Sequence, residues 1–284
     1  MDKEEAQHKG HEAGAKKGVG TGMMINIFIF VFGTIVGSFL NVCICRMPKK
    51  ESIVKPRSHC PSCKKTIGWY DNIPLLSYIL LGAKCRHCKV PISFRYFIVE
   101  LITGSLFFLF FYYFGLTLEF FIYSALSAAL VVVSGVDFDI QEIPDEISLP
   151  GIPIGLALSF IFPQLMGQGT HLLGLAHSAL GVLAGGGLIY LIGLLGEAIF
   201  KKEAMGGGDV KLMAMVGAFL GWKLALLAAF ILAPLFGAVF GIIVKIKYKE
   251  SLIPYGPFLS IATIISIVWG EKLISLYISK VIFV

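Results

Sequence analysis

MGGGDVKLMAMVGAFLGW, residues 205–222, opens with three glycines and a carboxylate and then runs on almost without charge. An apolar run of this kind belongs in lipid. An ionised carboxylate at its edge is costly there, so such groups pair, move ions or do chemistry. Asp209 has a counterpart in Asp137, which stands at the end of another apolar run in GVDFDIQEIPD, residues 135–145. The rest of the chain repeats the pattern. Of 284 residues, 56% are hydrophobic and only 15% charged, with a mean hydropathy of +0.82, where a soluble domain carries about a quarter charged residues. The composition therefore describes an all-α polytopic membrane protein, because helices satisfy their own backbone groups in lipid. With about 20 residues needed to span, helices are expected near 24–45, 96–115, 119–136, 146–164, 172–199, 209–222, 223–244 and 256–280. That makes about eight transmembrane helices.

Residues 1–22 form a polar N-terminal tail, and residues 23–45 the first transmembrane helix, read as a retained span because no small-residue cleavage site follows it. Residues 46–95 are then a small loop domain, and 96–284 a seven-helix membrane domain. Basic residues favour the cytoplasmic side. Arg46 to Arg95 holds eleven Lys or Arg against two acids, Lys201, Lys202 and Lys211 flank another turn, and Lys245, Lys247 and Lys249 a third. Alternating eight helices puts all three clusters in the cytoplasm and the N-terminus outside. The net charge of +6 is thus attributed to topology and anionic lipid, not to nucleic acid. One turn breaks the charge rule: 137–146 holds Asp137, Asp139, Glu142, Asp145 and Glu146 with no basic residue.

Cys60-Pro-Ser-Cys63 and Cys85-Arg-His-Cys88 enclose twenty-one residues. Two such pairs fit a four-thiolate tetrahedral zinc site, and a reducing cytoplasm argues against disulfides. Four sulfurs close the coordination sphere, so the Zn2+ is expected to be structural, folding a loop with too little core to fold alone. His59 and His87 are read as surface residues, and Cys43 and Cys45 as small buried thiols. Asn72-Ile73-Pro74, Trp69 and Tyr70 suit packing of this loop onto the membrane surface.

The same topology puts Asp137 and Asp209 at one depth on one face of the membrane. Two carboxylates a few Å apart do not both ionise readily. One then draws a proton from water while the other polarises a scissile carbonyl and serves the leaving amine, the two roles peptide hydrolysis requires. Gly206-Gly207-Gly208 permits unusual dihedrals and close approach of a substrate backbone; a turn ending in an N-capping Asp is the plainer reading.

GSFLNVCICRMP from Gly37, the two cysteine pairs around NIPLLSYILLG, ISFRYFIVELITG, VDFDIQEIPD, GGGDVKLMAMVGAFLGW and IPYGPFLSIA occur in this order over roughly residues 33–270. The chain resembles the type IV prepilin peptidases, bifunctional leader peptidase/N-methyltransferases of the GxGD aspartic protease group, distantly like presenilin and signal peptide peptidase. The resemblance implies catalysis by Asp137, seven residues before Pro144, and Asp209, with Asp139 a supporting neighbour or substitute. It also implies zinc at Cys60, Cys63, Cys85 and Cys88. The implied substrates are prepilins or pseudopilins, cut after the glycine ending a basic leader at the cytoplasmic face of the bacterial inner membrane, then methylated with S-adenosylmethionine. The acids of 137–146 suit a basic leader. Many members carry glycine two residues before the third cysteine, where this chain has Ala83, and no glycine-rich cofactor motif marks a methyl-donor site. Two alternatives keep the same residues. One is a protease without methyl transfer. The other is a proton-coupled carrier, against which the rim position of the carboxylates argues.

Overall fold

The structure, a computed structural model, describes residues 2–201, 206–248 and 254–281, with side chains described outside 2–22, 200, 243–248 and 281. Lys202, Met205, Lys249 and Ile253, used in the sequence reading, lie outside the described residues. The helices are α1 (Asp2–Arg46), α2 (Leu76–Leu80), α3 (Phe94–Phe114), α4 (Leu118–Ile140), α5 (Asp145–Ile161), α6 (His171–Val182), α7 (Leu188–Phe200), α8 (Gly207–Leu226), α9 (Ala233–Tyr248) and α10 (Gly256–Val281). Apart from two isolated β-bridges, the described residues carry no strand.

Six stretches are long and apolar enough to cross a bilayer: Met23–Lys49, Phe94–Phe114, Leu118–Ile140, His171–Ile199, Gly207–Ile242 and Gly256–Lys280. Two more complete the eight of the sequence pattern. Helix α5, at 17 residues, is a short span of its own. The long stretch from Gly207 is broken at Gly221, whose φ of 74° and ψ of 175° are not helical. Only glycine takes that conformation readily, so the chain turns at the Gly221–Trp222 pair where the hydropathy pattern placed a boundary. The protein is an all-helical polytopic membrane protein.

The chain falls into two compact units, Met1–Val42 with Val54–Ser124, and Cys43–Ile53 with Ala125–Val284. In the first, α1 and α3 approach through glycines. A Cβ on Gly33 would stand 2.8 Å from Phe107 Cβ, one on Gly37 2.8 Å from Glu100 Cα, and one on Gly104 2.6 Å from Thr34 Cγ2. In lipid, where apolar burial gives helices no reason to associate, this close backbone packing does. Ser93 caps α3 by accepting from Arg95 N–H at 3.3 Å, and the left-handed Gly115 ends it.

In the second unit α8 is the central element, with Leu212, Met213, Met215, Val216 and Ala218 at most 1% exposed. Gly181 of α6 and Gly217 of α8 meet backbone to backbone, and Ser178 Oγ donates to the Ala218 carbonyl at 2.6 Å. Ser159 Oγ of α5 reaches the same carbonyl at 3.3 Å. Two π-turns, Leu183–Gly187 and Leu227–Leu232, carry α6 into α7 and α8 into α9.

Candidate active site and metal centre

The cysteine loop is built from one local turn used twice. Cys60 N–H donates to the Lys65 carbonyl at 3.0 Å and Lys64 N–H to the Cys60 carbonyl at 2.9 Å; Cys85 to Val90 and Lys89 to Cys85 repeat this at 2.9 and 3.0 Å. Lys64 and Lys89 both sit at left-handed φ, 59° and 60°, which swings the chain back so that each pair offers both sulfurs to one side. The four Sγ atoms lie within 4.8 Å of one another, with Cys60 and Cys88 at 3.7 Å. A tetrahedron with Zn–S of about 2.3 Å needs sulfurs about 3.8 Å apart, so the residues present fit a tetrahedral ion. The Cys63 backbone N–H brings the Cys60 thiol down to about 6. His59 and His87 stand outside this set. Cys43 is buried as expected, whereas Cys45 is only half-buried.

From within the second turn, Arg86 grips Asp71 through two nitrogens at 2.6–2.9 Å and lies 5.6 Å over the Tyr70 ring. The pairing holds the Asp71 carboxyl below its usual range. Buried Glu100 of α3 accepts Leu75 N–H at 2.8 Å, tying the loop to the helix at a residue whose φ of 59° and ψ of −48° would not persist unaided. Ala83, at the position where many proteins of the resembled family carry glycine, also has a left-handed φ of 57°. That conformation favours glycine.

The second centre lies in the other unit. Helix α4 ends by presenting Asp137, 5% exposed, one turn before Gln141, which takes a left-handed φ of 57° and donates N–H to the Asp137 carbonyl at 2.9 Å. Residues 142–144 then lead into α5, where Asp145 and Glu146 occupy the first turn and meet the positive end of the helix dipole. Asp209 stands in the first turn of α8 as its third residue, behind Gly206 at the N-cap. It is not the N-cap that the plainer sequence reading made it. Nor do the glycines adopt unusual dihedrals: Gly206 is extended at φ −67°, ψ 133°, and Gly207 and Gly208 are helical. Space explains Gly208 instead, because a Cβ there would stand 2.9 Å from Ile143 Cβ.

Asp137 and Asp209 line one cavity of about 680 Å³ with Gly206, Gly207, Gly208 and Tyr255, a size typical of ligand sites. Asp209 lies within electrostatic reach of Asp137. Asp139 is exposed, and the cavity lining does not include it, which separates the two candidates that the sequence left adjacent. Glu142, Asp145 and Glu146 form part of the wall, and Asp145 pairs with Lys211 at 2.8 Å. Two further features had no role assigned from sequence. Gly256 N–H donates to Asp137 Oδ2 at 2.8 Å. Tyr255 beside it is pushed up to about 12 by burial and the nearby Asp209 charge, so its hydroxyl stays protonated at neutral pH. Their sequence signal was the IPYGP run at the head of a helix.

The model of the Bacterial Peptidase A24 N-terminal domain matches residues 31–114, and that of the Type IV leader peptidase family residues 124–242. A prepilin leader peptidase/N-methyltransferase of Aeromonas salmonicida (strain A449) is 33% identical over 284 residues, covering 89% of this chain and 94% of that protein. The chain belongs to the type IV leader peptidase family. Two other members of this family bear the same name. That of Bacillus subtilis (strain 168) is 34% identical over 253 residues, 88% of this chain and 96% of that one. That of Myxococcus xanthus (strain DK1622) is 44% identical over 222 residues, 78% of this chain, which spans 64% of that relative's length. No solved structure matches. Both aspartates, in GGGD and VDFD, fall inside the leader-peptidase match, and all four cysteines inside the N-terminal-domain match.

Proposed function

We propose that this chain is a prepilin leader peptidase/N-methyltransferase of the bacterial inner membrane, with Asp137 and Asp209 as its catalytic pair. The observation that carries the reading is that these two carboxylates, from α4 and α8, line one cavity with the GGGD glycines. Cleavage needs one ionised and one protonated carboxyl with a water between them. The carboxylate removes a proton from the water, whose oxygen attacks the peptide carbonyl carbon. The carboxylic acid donates a hydrogen bond to the carbonyl oxygen and, on collapse, a proton to the nitrogen of the breaking C–N bond. The products are a leader ending in a carboxylic acid, which gives its proton to solvent, and a mature chain with a free amine, and the pair has exchanged one proton between its members.

Glu142, Asp145 and Glu146 along the wall suit a basic leader. The positive loops support an orientation with this cavity and the cysteine loop in the cytoplasm. Cys60, Cys63, Cys85 and Cys88 would hold a structural zinc, whose two positive charges would offset part of the thiolate charge and whose bonds would join the two turns. S-adenosylmethionine would supply an electrophilic methyl group to the new amine.

The test is incubation of the purified protein in lipid with a candidate prepilin and labelled methyl donor, read by mass spectrometry. The expected result is a product shortened after the leader glycine and carrying one methyl group. Cleavage without label would leave a protease alone; an intact prepilin with proton flux across the vesicle would replace the reading with a carrier.

A further inference from the structure

The IPYGPFLSIA run lies beyond the residues that the family model matches and has no part in the reaction as written above. Its position in the structure gives it one. Residues at the start of a helix have N–H groups with no partner inside the helix. In the first turn of α10, Pro257 has no N–H, and those of Phe258 and Leu259 both go to the Tyr255 carbonyl, at 3.0 and 3.2 Å. Gly256 keeps the one donor left over, and it goes to Asp137 Oδ2 at 2.8 Å, in a buried setting and across 119 residues of sequence. The position also admits no side chain. A Cβ on Gly256 would stand 2.8 Å from Asp137 Oδ2 and 3.2 Å from its Cγ. Among the described residues, no backbone N–H is recorded on the Asp209 carboxylate, so the two members of the pair are held differently.

We propose that Gly256 is a positioning residue for peptide cleavage: its N–H, at the head of α10, orients the Asp137 carboxylate and assigns it the base's role, leaving Asp209 to act as the acid. The inference rests on the peptidase reading above and deepens it. An N–H bond to a carboxylate is roughly twice as strong as one to a neutral acceptor, so the contact works hardest when Asp137 carries no proton. The helix end adds a fixed dipole of the same sense. The orientation matters because a carboxylate misplaced by about 1 Å can cost about a hundredfold in rate. Glycine is required at this position for the close approach, and the donor has to be residue 256's because its neighbour, Pro257, has none to offer.

Two replacements separate the donor from the space. Gly256→Ala keeps the N–H but drives a methyl group into the carboxylate; replacing Gly256 by glycolic acid, which puts an ester oxygen in place of the N–H, removes the donor without adding a side chain. Each is compared with the unaltered protein for kcat and KM on a prepilin, for kcat against pH, and for methyl transfer to a pilin whose leader has already been removed. The expected result is a kcat about a hundredfold lower for Gly256→Ala and about tenfold lower for the ester. KM and methyl transfer should be unchanged in both. With its donor gone, the base takes up a proton more readily, so the acidic limb of the ester protein's profile should move to higher pH. Unaltered kcat in the ester protein would overturn the proposal, as would a parallel fall in methyl transfer, which would mark general damage. If the unaltered protein cleaves no prepilin, the peptidase reading itself falls, and this inference with it.

Discussion

The cysteine loop and the carboxylate cavity are two centres built on opposite plans. In the loop, four ligands come from two nearly identical turns, each closed by hydrogen bonds between residues at most five apart. Within each turn the geometry is local, and the two turns then meet with Cys60 against Cys88, 28 residues apart in sequence. In the cavity, the ends of α4, α8 and α10 meet, and no two of the contributing residues Asp137, Asp209 and Gly256 are neighbours in the chain. Nothing local brings them together. Contacts between the helices do so: Ser260 of α10 donates to the Leu130 carbonyl of α4 at 3.4 Å, and Gly270 of α10 packs against Leu224 of α8. A local site can be held by a metal; a distributed one depends on the helices around it.

The contrast breaks most sharply where the chemistry is removed but the packing is left. Asp137→Ala and Asp209→Ala should each lower prepilin cleavage by about 10²–10⁴-fold, the usual loss on deleting a general acid or base, while metal content, measured by mass spectrometry, stays at that of the parent. Cleavage at the parental rate by either variant would remove the pair from the mechanism. Conversely, Cys60→Ala or treatment with a strong chelator should take the metal from about one ion per chain to none and open residues 46–95 to protease, leaving the helices resistant. A metal-free loop that stays resistant would show that local hydrogen bonds suffice without an ion.

Gly208→Ala tests whether the cavity depends on close packing at its wall. The added methyl group meets Ile143 at 2.9 Å, and overpacking of this kind costs about 1–3 kcal/mol. Lower thermal stability together with weaker cleavage is expected, measured by melting in detergent and by product formation. Tyr255 offers a titration. Its raised value means that its neutral form belongs to the fold, so any stability tied to it is intact below about 10 and declines as pH rises through about 12. Ultraviolet titration, with Tyr255→Phe as the blank, should find that midpoint lowered in Asp209→Ala, because the neighbouring anion has gone. The smallest effect belongs to Arg86→Ala. The Arg86 side chain of this pair is half-exposed, where solvent weakens ion pairs, so metal should be retained with a small gain in protease sensitivity.

These differences explain what could be read from the residues alone. Spacing of the cysteines was enough to foresee one cluster of four thiols, because cysteines three residues apart in a turn have few ways to be arranged. Hydropathy was enough for the helices, since lipid leaves a polar backbone no other option, and even the break at Gly221 showed as a glycine before a tryptophan. The helix alternation put Asp137 and Asp209 at one depth, but depth is a single coordinate. That both face the same cavity while Asp139 does not, that Gly208 is small for Ile143's sake and not for an unusual dihedral, and that Gly256 reaches back to Asp137 all depend on rotation and contact between helices. Those follow from side-chain packing between segments far apart in the chain, which a one-dimensional pattern does not encode.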